Sequence, residues 1–312
     1  MKTLDDYKVN VRNQRKLMDS FLLFPIEDIK NFDRNFELSA INSEEFAGYI
    51  SKFVDVTRDK FSFKNLDEKL RTLQLSVMPI FSSYILGING EYDIEKHKIR
   101  VSRNIDLSIY HELFHAMSSY RLSNKIFGCG FFQNNGGLLV GAMLDEGYTD
   151  LLSARYFDSS IAYNISANLA LKLETIIGKE QMEFMYSTND LVNVINFLAD
   201  YSSLFSAFKF LSLLDKLKSS YKVGAKSINI LNIISDYLVN IYIELLSEEY
   251  LNGKTSQYDV INKLSYFRER FVDYVFDSKF DEKSYISSLD YIDITSKLSK
   301  EEFQKTLKTK VM

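Results

Sequence analysis

His111-Glu112-Leu113-Phe114-His115 is the stretch of this chain whose residue types and spacing can do chemistry. Two histidines four positions apart on an α-helix are separated by roughly 40° around the axis and about one turn along it. A single tetrahedral zinc ion can take both imidazoles, and the intervening Glu112 is aimed at the coordination position left for water. A third protein ligand is still required, from His, Asp, Glu or Cys. Leu144-Asp145-Glu146-Gly147-Tyr148-Thr149-Asp150 offers Glu146 and Asp150, again four apart. These acids lie between the apolar stretch 137–144 and Leu151-Leu152, where carboxylates must be neutralised or coordinated because burying them unpaired is unfavourable. The spacing predicts Glu146 as the third ligand. Asp150, one turn on, is expected to accept the free ring N–H of a ligand histidine and fix its tautomer.

Two helices must present these groups. Residues 108–120 form the first, with Ile109, Leu113, Phe114 and Met117 around the polar pair, and residues 138–157 the second. Between them, Gly128-Cys129-Gly130 and Asn134-Asn135-Gly136-Gly137 bracket a stretch expected to be a loop walling the cleft. Before the first helix, residues 84–88 read as a strand, Asn89-Gly90 as a hairpin turn and residues 91–94 as the return. Residues 98–102 alternate polar and apolar, as a half-buried strand does. A strand edge beside a metal helix can pair with an extended peptide and hold its scissile bond over the metal.

Elsewhere the pattern is helical. Leu4, Tyr7, Val11, Leu17 and Phe21 make an apolar stripe. A second helix is expected to start at Asn42 as N-cap, and a third covers 67–75. After 161 the expected helices are 162–177, 181–186, a continuous run over 190–219, 230–246 and 258–276. The predicted organisation is a helical N-terminal lobe or cap over 1–80 and one catalytic unit over 81–312. Within that unit a sheet spans 81–103, the metal site 108–157 and a helical region 158–312.

Composition narrows the classes further. The chain has 312 residues, 46% of them apolar and 26% charged, as in an ordinary globular protein. A net charge of −4 argues against a nucleic-acid-binding surface. The single cysteine, Cys129, excludes an intrachain disulfide and any multi-cysteine metal site. The most apolar run, 228–246, is broken by Asn232, Asp236, Asn240 and Glu244, so no membrane span is expected. The N-terminal residues lack a signal-peptide core, and the expectation is a cytoplasmic protein. His97, between charged neighbours, reads as a solvated turn or strand residue, and Cys129 as a small buried or loop thiol.

His111-Glu112-x-x-His115 followed by Glu146-Gly147-x-Thr149-Asp150 resembles the gluzincins, the thermolysin-like branch of zinc peptidases. The likeness covers residues 84–157. It implies an α+β, mostly α fold, with a zincin-like core of small sheet and active-site helices followed by a helical C-terminal region. It also implies one Zn²⁺ per chain on His111, His115 and Glu146, Glu112 as general base, Asp150 orienting the first histidine, and a peptide or protein substrate. The gap from His111 to Glu146 is longer than in thermolysin. No histidine follows His115 to stabilise a transition state, so a tyrosine is expected there: Tyr148 first, with Tyr156, Tyr186 and Tyr201 as the others. The competing expectation is a regulatory or binding protein on the same scaffold, acting on a single partner or without turnover.

Overall fold

The computed structural model describes residues 44–77, 89–102, 108–159, 162–218 and 225–264, with 267 and 305. The expected first helix, the N-cap Asn42 and the expected strand at 84–88 lie outside them. The described chain is α+β and mostly α, as the sequence predicts.

Helix α1 (Glu44–Thr57) places Phe46, Tyr49, Ile50 and Phe53 on one face. After a turn bearing Phe61 and Phe63 comes α2 (Leu66–Thr72). The chain then extends into β1 (Gln74–Val77), inside the segment expected to be wholly helical. Strands β2 (Gly90–Asp93) and β3 (Lys98–Val101) complete a three-stranded sheet in the order β1-β3-β2. Gln74 lies opposite Lys98 in the parallel pair, and Gly90 opposite Val101 in the antiparallel one.

The hairpin turn falls at 94–97. Asp93 Oδ1 accepts the backbone N–H groups of Glu95 and Lys96, and His97 sits in the left-handed region at φ 47°. That turn carries His97 inward. It is 0% exposed, Nε2 donating to Lys69 O at 2.8 Å and Nδ1 paired with Tyr92 Oη at 2.7 Å. The expectation of a solvated residue is wrong. Flanking charges indicate nothing about a ring that a left-handed backbone turns away from them.

Helix α3 (Ile109–Ser118) has all ten residues buried. The segment expected as a loop is a four-stranded antiparallel meander, β4 (Tyr120–Ser123), β5 (Ile126–Cys129), β6 (Phe132–Asn135) and β7 (Leu138–Val140). The glycines that suggested a loop form its tight turns: Gly130, Gly136 and Gly137 all have positive φ. Helix α4 (Ala142–Phe157) therefore starts four residues later than predicted. Its first amides, of Gly141 and Met143, donate to Asp215 at 2.9 and 3.0 Å, so a carboxylate from α8 (Leu204–Lys218) caps it.

Helices α5 (Asn164–Ile177), α6 (Lys179–Ser187) and α7 (Leu191–Asp200) follow. The run expected over 190–219 is split between α7 and α8 at 201–203, where Ser203 Oγ accepts the Ser206 N–H and starts a new helix. Helix α9 (Ala225–Leu251) contains a stretch long and apolar enough to cross a membrane, Asn229–Leu251, of which 67% of the most apolar window is buried against the protein. Residues 257–264 are helical again.

One apolar cluster runs from Phe53 through Leu113, Phe114 and Leu152 to Leu238 and Leu264, so residues on both sides of position 80 share a core. Gly147 permits the close packing of α4 on α5, since a Cβ there would lie 2.3 Å from the Ser166 backbone.

Candidate metal centre

Helix α3 offers His111 and His115 on one face, and α4 lays Glu146 against them. His111 Nε2 lies 2.9 Å from His115 Nε2, and Glu146 Oε2 lies 3.3 and 3.6 Å from those two atoms. Donors about 2.0–2.1 Å from a tetrahedral zinc are about 3.3 Å from one another, so this triangle has the right size. The three side chains form a group able to hold a metal ion. The histidines are nearly buried, while the Glu146 side chain is 21% exposed and marks the open side.

Each imidazole is fixed from behind. His111 Nδ1 donates to Asp150 Oδ1 at 2.8 Å, as the spacing predicts. Asp150 Oδ2 in turn accepts the amides of Ala162 and Tyr163, at 2.9 and 2.6 Å. His115 Nδ1 faces Asp145 Oδ2 at 3.1 Å, while Asp145 Oδ1 accepts the Phe131 N–H at 2.9 Å. With both Nδ1 atoms given to aspartates, neutral rings would point two lone pairs at each other across 2.9 Å. A cation or a proton has to lie between them.

The charges agree. Burial opposes the imidazolium of His111, but Asp150 and Glu146 outweigh it and lift its pKa to about 9. His115 is likewise raised despite burial, chiefly by Asp145. Glu146 is held well below the carboxylate range against its own burial, by hydrogen bonds to the two histidines. Glu112 is raised, because burial dominates over the nearby histidines.

Glu112 is not in the donor triangle. Its Oε1 presses on the first residue of β2, and a Cβ at Gly90 would stand 2.6 Å from it and 2.7 Å from Ser108 Oγ. Ser108 Oγ donates to Asn89 O at 2.8 Å and ties the start of α3 to β2.

No family model, no curated protein and no solved structure matches the chain. The site is therefore read from its own geometry.

The structure brings together His111, His115, Glu146, Asp150 and, beside them, Glu112. It does not bring Tyr148. That ring is 0% exposed and its hydroxyl donates to Glu174 Oε2 at 2.8 Å, within a buried group that also holds Arg155 and Glu183. Tyr156 donates to Glu183, Tyr186 pairs with Thr149, and Tyr201 packs beside Phe197. Helical spacing puts Tyr148 on the face of α4 turned away from Glu146, which a nearest-in-sequence choice ignores.

Tyr163, not chosen from the sequence, stands with its ring 6.2 Å from that of His111 and is 36% exposed. Asp145 was also missed as a partner of His115, although its place next to Glu146 was a usable signal.

Proposed function

We propose that the protein is a zinc-dependent hydrolase of amide bonds, with a peptide or protein as substrate. His111 Nε2, His115 Nε2 and Glu146 would hold one Zn²⁺. The observation that carries this reading is the triangle of donors at 2.9, 3.3 and 3.6 Å, its two histidines fixed from behind by aspartates. Bound zinc supplies Lewis acidity and lowers the pKa of a water in its fourth position.

Glu112 would act as the general base that takes a proton from the attacking water and returns it to the leaving amine. Its raised pKa, set by burial, brings it nearer the neutral range where a carboxylate can both take and return a proton. Asp150 and Asp145 keep the two imidazoles in the tautomer that directs Nε2 inward. Among the described residues β2 pairs with β3 alone, so its other edge can take an extended peptide beside Glu112. Tyr163 lines the opening on the His111 side.

The test is metal content and peptide hydrolysis of the full chain and two variants. As purified, with no metal added, wild type is expected to carry about one zinc per chain and Glu146→Ala to lose it. Glu112→Gln is expected to keep the metal and lose hydrolysis by about 10²–10⁴-fold. Zinc binding unaffected by Glu146→Ala rejects the site. Full activity in Glu112→Gln rejects the mechanism.

A further inference from the structure

The two histidines are backed differently. His111 Nδ1 meets Asp150 at 2.8 Å, an ordinary length for a charge-assisted hydrogen bond. His115 Nδ1 meets Asp145 at 3.1 Å, and a third donor joins them. Cys129 Sγ, from the end of β5, lies 3.3 Å from Asp145 Oδ2 and 3.7 Å from His115 Nδ1. A tetrahedral ion bonded at about 2.3 Å to sulfur and about 2.0–2.1 Å to nitrogen and oxygen sets its donors about 3.3–3.5 Å apart. All three side chains are buried, and the three atoms form a group able to hold an ion.

The backbone keeps this group together. Gly130, at φ 48°, leaves the space that the Asp145 carboxylate fills, since a Cβ there would fall 2.1 Å from Oδ1. The Phe131 amide fixes Oδ1, so Oδ2 is the oxygen that faces the sulfur and the ring.

We propose that His115 Nδ1, Cys129 Sγ and Asp145 Oδ2 form a second metal site, for a thiophilic divalent transition ion. His115 then serves two sites, Nε2 facing one ion and Nδ1 the other. On binding, the thiol proton and the Nδ1 proton leave to solvent and the ion takes their places. Thiolate and imidazole donors select borderline and soft ions over magnesium or calcium. The hydrogen bond between Asp145 and His115 is given up, so excess metal acts directly on a ligand of the first site.

The chain has one cysteine, which makes the test specific. The metal-free full-length protein is titrated with Co²⁺, and the near-ultraviolet thiolate-to-cobalt charge-transfer band is followed along with stoichiometry. Wild type is expected to bind two ions, one of them accompanied by the band. Cys129→Ser and Asp145→Asn are each expected to bind one ion without it, and Glu146→Ala to bind one ion with it. Absence of the band from wild type at excess Co²⁺ overturns the proposal, as does a band that survives Asp145→Asn. One ion with the band in both wild type and Glu146→Ala supports this site and rejects the first. A far-ultraviolet circular dichroism spectrum of each variant confirms that it is folded.

Discussion

The Nε2 edges of His111 and His115 face Glu146, because their Nδ1 edges are committed to Asp150 and Asp145. The proposed zinc would displace protons from these nitrogens, which would couple its affinity to pH. The folded pKa of His111 is raised from the ordinary 6.5 to about 9. A proton therefore competes for its nitrogen, as one does at His115, and apparent zinc affinity is expected to rise with pH from 6.5 towards about 9. Competition against a chelator of known affinity at several pH values measures this, and a flat profile contradicts it. Much at this scale was legible because it is local. The i, i+4 spacing alone brings His111 and His115 to one point and separates Glu146 from Asp150 by one turn. Asp145, Tyr148 and His97 were misread or missed for the opposite reason: their partners, His115, Glu174 and Lys69, come from other segments.

At the scale of elements, α3 is held on every side. Phe114 packs edge-on against Phe53 at 5.1 Å and Phe61 at 5.5 Å, and Tyr49 meets Tyr110 at 5.8 Å. The carbonyls at its end are taken by side chains from elsewhere, Lys69 Nζ on Met117 O and Asn189 Nδ2 on Ser118 O, both at 2.5 Å. Phe114 is 0% exposed, and Phe114→Ala is expected to lower stability by about 3–5 kcal/mol, measured by denaturant unfolding. A loss below about 1 kcal/mol means that the aromatic cluster does not support the helix. Most of the described helices were legible from period and spacing, though not the break at 201–203 that divides α7 from α8. The meander over 120–140 was not, since its strands are three or four residues long and its glycines read as a loop.

For the molecule as a whole, the single core makes stability a property of the entire described chain, and His97 gives it a pH dependence. Burial lowers the His97 pKa from 6.5 to about 4. The native state therefore binds fewer protons than the unfolded state between those values, and stability rises with pH across that window. Acidification from about 6.5 to about 4 is expected to reduce unfolding free energy by up to about 3 kcal/mol. In His97→Gln the slope is shallower; an unchanged slope assigns the dependence to other groups. The mostly α class with small sheets could be read from the sequence. That residues 44–77 would join the same core as α3 and α4 could not, because contacts such as Tyr49 with Tyr110 and Phe53 with Phe114 link segments more than 50 residues apart.

Asp150 uses its two oxygens in opposite directions, Oδ1 towards His111 and Oδ2 towards the amides of Ala162 and Tyr163. The imidazole and the residues that lead into α5 thus hang on one carboxylate. Occupancy of the metal centre should be readable a short way off, as slower deuterium uptake at the amides of residues 162 and 163. Equal exchange with and without metal would mean that the carboxylate moves independently of the ring. Slower exchange with metal bound would mean that the entrance beside Tyr163 is tied to the ring of His111.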